Sequence, residues 1–166
     1  MTNEELVKHL TGRRPKACDE SIVWLGKRNS DEMWAECERG DWLLWYAAAH
    51  VSREELVLAS CDCAETALRY VPAGEDRPRL AIETARRWAS EDAEIRSSDW
   101  FTWSRITVDA AIAARSTYAS DTPAYAASTA AGAAARAAYA VDGGHAAQAA
   151  AWWAASAASA ANADNE

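Results

Sequence analysis

Alanine makes up about a quarter of this 166-residue chain, while only 7 Gly and 4 Pro interrupt it. Alanine loses no side-chain entropy on entering a helix, and Gly and Pro are the residues that most disfavour one, so this balance confines the chain to helices. Hydrophobic residues make up 50% of it, enough to bury a core without metal or disulfide staples. The sequence therefore predicts an all-α fold: a single compact domain over residues 1–166, built as a bundle of about eight or nine antiparallel helices.

Helix boundaries follow from capping chemistry, since the first N–H groups of a helix need an outside acceptor. Thr2 with Glu5 and Ser52 with Glu55 have the spacing of capping boxes, the second opening a helix expected to reach about Tyr70. Ser30 and Asp41 are further cap candidates, and Gly40 between them is expected to end a helix from Asp31 to Arg39 in a left-handed turn. Val71-Pro72-Ala73-Gly74-Glu75-Asp76 is a break, after which Pro78 suits the first turn of a helix running to about Glu94. Later helices are expected from Ser98 to about Tyr118 and from Thr122-Pro123 onward, with Gly143-Gly144 separating the last one.

Apolar spacing agrees. Val57, Cys61, Ala64, Leu68 and Val71 share one helical face, as do Trp103, Ile106, Ala110, Ala113 and Thr117. Trp42-Leu43-Leu44-Trp45-Tyr46 is apolar on every side and is expected at the centre of the core. Residues 110–160 are alanine-rich and are expected to pack closely on residues 1–109, leaving 161–166 as a frayed tail. A recurring phrase, small residue then acid, at Ala17-Cys18-Asp19, Ser60-Cys61-Asp62 and Leu80-Ala81-Ile82-Glu83 makes irregular stacking of helical hairpins the second architecture to test.

Charge and motifs narrow the chemistry. A net charge of -8 repels phosphate, which disfavours direct binding to nucleic acid. The stretch Met1-Thr2-Asn3-Glu4-Glu5 carries acids where a secretion signal needs cations, so a cytoplasmic setting is expected, with Cys18, Cys37, Cys61 and Cys63 reduced. No segment has the leucine-rich character of a membrane span. HExxH, Walker-type, GxGxxG and GxSxG motifs are absent. Cys61 and Cys63 stand two residues apart, so on a helix they diverge by about 200° and grip one ion poorly. No metal, cofactor or catalytic residue is expected. A cysteine-dependent enzyme or metal protein remains the competing class, tested by replacing Cys61 and Cys63 with serine.

Tryptophan departs most from background, with 9 residues against one Phe. Trp24, Trp42, Trp88 and Trp103 fall on apolar faces and are expected in the core. Trp34 and Trp100 are flanked by Asp31-Glu32 and Ser98-Asp99, the setting of an exposed aromatic ringed by carboxylates. Such a residue is a candidate anchor for a basic partner protein.

Four blocks resemble one family. Ala17-Cys18-Asp19-Glu20-Ser21-Ile22-Val23-Trp24-Leu25, Gly40-Asp41-Trp42-Leu43-Leu44-Trp45, Cys61-Asp62-Cys63-Ala64-Glu65-Thr66-Ala67-Leu68 and Glu75-Asp76-Arg77-Pro78-Arg79-Leu80-Ala81-Ile82-Glu83 are together similar to immunity proteins of bacterial polymorphic toxin systems. The resemblance covers Pro15 to Trp88 and implies a small helical, non-catalytic inhibitor that occludes a cognate toxin, often a nuclease. It points to the acids in those blocks, Asp19, Glu20, Asp41, Asp62, Glu65, Glu75 and Asp76, as partner contacts beside Trp34 and Trp100. Arg77 and Arg79 are expected to tie the loop to acids of a neighbouring helix. The same acidic surface would also suit a phage inhibitor of a host defence nuclease of the anti-CRISPR kind, which neighbouring genes would distinguish.

Overall fold

The computed structural model describes residues 1–12, 17–90, 122–137 and 156. These form seven α-helices and no strand: α1 (Asn3–Gly12), α2 (Asp19–Leu25), α3 (Ser30–Glu36), α4 (Gly40–Ala47), α5 (Arg53–Glu65), α6 (Arg77–Ser90) and α7 (Pro123–Ala137). A 3₁₀ turn over Leu68–Tyr70 follows α5, so the helix expected to reach Tyr70 tightens and ends earlier. The expected helix from Ser98, its Trp103 face, the Gly143-Gly144 break and the tail lie outside the described residues. No helix among the described residues is long and apolar enough to cross a membrane.

The first four helices are short, and helices of this length are not stable alone, so caps and packing must hold them. The Thr2–Glu5 box forms, with Thr2 N donating to Glu5 Oε2 at 2.9 Å and Glu5 N to Thr2 Oγ1 at 3.4 Å. The Ser52–Glu55 box forms likewise at the start of α5. At α3 the cap lies one residue before Ser30. Asn29 Oδ1 accepts from Asp31 N at 2.9 Å and Glu32 N at 3.1 Å, and Glu32 Oε2 accepts from Asn29 N at 2.9 Å. Ser30 is instead buried, its Oγ accepting from the Met1 amino group at 3.0 Å and so tying the N-terminus to α3.

Gly40 differs from expectation too. α3 ends at Glu36, residues 37–39 are non-helical, and Gly40 is the first residue of α4. The glycines with positive φ among the described residues are Gly26, at the C-terminus of α2, and Gly74, in the expected break before α6. Pro78 does lie in the first turn of α6, and Thr122 Oγ1 accepts from Tyr125 N at 3.3 Å ahead of α7. The recurring phrase marks no repeat. It opens α2, falls in the last turns of α5 and begins inside the first turn of α6.

Buried side chains gather in two clusters. The larger joins α5, α6 and α7, with Val57, Cys61, Ala64, Ile82 and Ala85 facing the alanines of α7. Ala127, Ala130, Ala134 and Ala137 are fully buried there, at steps of three and four along one face. Within the alanine-rich segment, α7 is thus part of the core; the segment's other residues, apart from Thr122 and Ser156, lie outside the described ones. Leu68 and Val71 pack on its edge, completing the face expected from Val57, Cys61 and Ala64. The smaller cluster joins α1 to α4 through Leu6, Leu10, Leu25, Met33, Trp45 and Tyr46.

Two core substitutions probe this packing in opposite directions. Ile82→Ala is expected to cost about 2–5 kcal/mol by opening a cavity between α5, α6 and α7. Ala130→Leu is expected to cost about 1–3 kcal/mol or more, because α7 has no room for added methylenes. Urea denaturation of each variant measures both.

Candidate functional site

α3 presents the surface the sequence singles out. Its cap fixes the first turn, so that Met33 points into the smaller cluster and Trp34 points out, 49% exposed. The Trp34 ring rests edge-on against Tyr46 of α4, with centroids 5.9 Å apart. Asp31, Glu32 and Glu36 of the same helix are exposed. Asp31 lies close enough to Tyr46 that its charge adds to burial in raising the tyrosine above its ordinary value. Glu32 caps the helix and Glu36 accepts from Arg28 Nε at 2.7 Å. The face therefore carries one protruding indole beside carboxylates whose backbone positions are fixed.

The remaining nominated acids are mostly neutralised by arginine. Asp41 is buried and takes both ends of Arg39, Nε and Nη2, at 2.8 Å each. It cannot present its carboxylate outward. Glu20, exposed on α2, approaches the same Arg39 at 3.8 Å. Asp62 and Glu65 stand exposed on α5 and share Arg86 Nη2 of α6, at 2.7 and 2.6 Å, which bolts the two helices together across their surface. Glu75 is largely buried and receives the backbone N and Nε of Arg77 at 3.0 and 2.7 Å, with Nη2 on its other oxygen. Those hydrogen bonds hold its carboxyl below the usual carboxylate range. Arg77 thus pairs with an acid of the loop itself, not with one of a neighbouring helix as expected, because Glu75 two residues away is already within reach. Asp19 and Asp76 are exposed, in the first turn of α2 and just before α6, where Asp76 O accepts from Leu80 N at 2.9 Å. Trp100 lies outside the described residues.

The structure also assembles a cavity of about 210 Å³ among α1, α2, α3 and α4. Trp24, Trp42, Trp45 and Tyr46 form its aromatic walls, and Cys18, Ser21 and Cys37 belong to its lining. The tryptophan excess is the sequence signal for it. The expectation that Trp24 and Trp42 belong to the core interior is corrected: both are half-buried and open onto this space, whereas Trp45 is the buried one among the described tryptophans, at 6%. Position along a helix face fixes which way an indole points, but not whether the facing helix closes over it.

The cysteines separate by environment. Cys18 is exposed and Cys37 half-buried. Cys61 is fully buried in the larger cluster, and burial pushes its thiol up to about 12. Cys63 is half-buried and also raised, first by burial. No group of three or more metal-ligating side chains occurs among the described residues. Comparison of the chain with models of protein families, with curated proteins and with solved structures gave no match.

Two outcomes follow from this geometry. A thiol at about 12 leaves on the order of 10⁻⁴ thiolate at pH 8, so alkylation of Cys61 is expected to be on the order of 10³-fold slower in the folded than in the urea-unfolded chain. Peptide-level mass spectrometry measures this. The raised thiol stabilises the fold fully below its unfolded value of about 8.5, and that contribution is lost as pH rises toward the folded value. Arg39→Met keeps an unbranched side chain but removes the guanidinium that lies over Trp42 and pairs with the Asp41 carboxylate. Because the arginine is 42% exposed, solvent screening limits the expected cost to about 1–2 kcal/mol in urea unfolding.

Proposed function

We propose that the chain is a non-catalytic inhibitor of the immunity-protein type, acting in the cytoplasm on a basic partner such as a toxin nuclease. Its scaffold would be a bundle of about eight or nine helices, the described seven included. The observation that carries the reading is Trp34, half-exposed on a helix whose other exposed residues include Asp31, Glu32 and Glu36. A large rigid aromatic with low rotamer entropy is the side chain most often found at the energetic centre of an interface. Carboxylates around it complement a cationic phosphate-binding cleft, and the net charge of -8 steers such a partner inward. The resemblance of the four sequence blocks to immunity proteins supports the same reading. Asp19 and Glu20 on α2 would extend the acidic rim.

The test is capture of partners from the native host on the tagged chain, with and without Trp34→Ala. The supporting result is a basic protein whose affinity falls at least tenfold when the indole is removed, corresponding to about 1.4 kcal/mol or more. The complex is also expected to weaken as salt rises from 50 to 300 mM, on the order of tenfold. Trp34 is exposed, so the variant keeps its fold, checked by circular dichroism. Binding indifferent to both Trp34→Ala and ionic strength overturns the proposal.

A further inference from the structure

Trp34 does not line the cavity among α1 to α4, though Tyr46 touches both, and the cavity's chemistry specifies a different kind of occupant. Four of its walls are aromatic, and no charged side chain lines it among the described residues. Among the described lining residues none offers an opposite charge to a charged compound that loses its hydration there, which favours a neutral occupant. Two of its polar side chains are engaged within the chain, while its indole N–H groups and the Tyr46 hydroxyl are neutral and only weakly polar. Ser21 Oγ donates to Cys18 O at 2.7 Å, and Cys37 Sγ donates to Arg39 O at 3.6 Å. Nothing in the lining calls for a strongly polar ligand.

The walls hold their shape without an occupant, because residues outside the lining brace them. Arg28 lies over Trp24 at 4.6 Å from the ring centroid, and Arg39 over Trp42 at 4.5 Å. Arg39 is itself fixed by both oxygens of Asp41. Tyr46 is held by His9, His50 and Trp34, with centroids 5.9, 4.6 and 5.9 Å away. Trp24 and Trp42 also meet each other at 5.9 Å. A cavity whose walls are fixed beforehand spends little affinity on ordering them. An apolar cavity of about 150 Å³ admits a benzene ring, so one of about 210 Å³ has room for somewhat more. We propose that this cavity is a binding site for a neutral, flat aromatic compound of one or two fused rings, of indole or naphthol size.

The full-length chain is titrated by calorimetry with three probes: indole, 2-naphthol and the charged analogue indole-3-acetate. Indole or 2-naphthol is expected to bind at one equivalent with a Kd on the order of 10–100 μM. Indole-3-acetate is expected to bind at least tenfold more weakly. Cys18→Trp, at an exposed lining position, is expected to reduce affinity for the neutral probes at least tenfold. If that variant fails to fold, Ser21→Leu fills the same space from α2 and carries the same expectation. Saturating 2-naphthol is also expected to slow alkylation of Cys18 by N-ethylmaleimide at least threefold while leaving Cys63, on α5, unchanged. The proposal is overturned by any one of three results: no saturable binding of either neutral probe up to 1 mM, equal binding of indole-3-acetate, or unchanged affinity in the folded filling variant.

Discussion

Leu44 sits in the core shared with α5, α6 and α7, while the next two residues, Trp45 and Tyr46, are buried with α1, α2 and α3. Successive residues of a helix point about 100° apart, so a short helix can serve two cores only if it is apolar at consecutive positions. Trp42-Leu43-Leu44-Trp45-Tyr46 meets that condition. α4 is the joint through which the short N-terminal helices are fastened to the three longer ones. The Arg39–Asp41 pair, its carboxylate buried and its arginine partly exposed, lies at the start of this joint, where it fixes the non-helical approach from α3 and sets the position of Trp42.

Local chemistry explains which features the sequence discloses. The capping boxes at Thr2 and Ser52 involve residues three apart, and their hydrogen bonds need nothing from elsewhere in the chain. α7 is legible for a related reason: alanine's helix preference and its lack of bulk act in the same direction, toward a helix packed close to its neighbours. Ser30 and Gly40 are misread because competing partners decide them. Asn29 offers a better cap, leaving Ser30 to the chain's own amino group. The turn before α4 is made by an extended segment with an arginine clamp, so no left-handed glycine is needed there. The glycine that does adopt positive φ, Gly26, follows α2 directly after Leu25, and its place after a helical apolar residue is a signal available in the sequence.

Counting acids overstates the charged surface, because a formal charge carries no information on pairing. Of the seven nominated acids, Glu20, Asp41, Asp62, Glu65 and Glu75 meet an arginine. Arg39 and Arg77 reach acids two residues away, contacts that sequence proximity could suggest. Arg86 reaches across 24 and 21 residues, which only the packing of α6 against α5 allows. Trp34 was legible from its acidic flanks, since an indole among carboxylates on a short amphipathic helix has few ways to be buried. For the cavity the tryptophan excess signals only the aromatic material of its walls, because the space itself is a property of four helices meeting incompletely.

The distribution of side-chain chemistry matches a division of labour between the two halves of the described structure. Alanine contacts give α5, α6 and α7 close, regular packing, but a methyl group offers no donor, no charge and no reach to a partner. Four of the five described tryptophans, Trp24, Trp34, Trp42 and Trp45, lie instead on α2, α3 and α4. Those helices are too short to persist by propensity and are held by caps, ring contacts and cation–π pairs. Tyr46 concentrates this dependence, since one ring supports Trp34 on the outer face and lines the inner cavity at once. Stability is thus supplied by the residues with the least chemistry, and the residues able to recognise another molecule are carried on the elements that most need their neighbours.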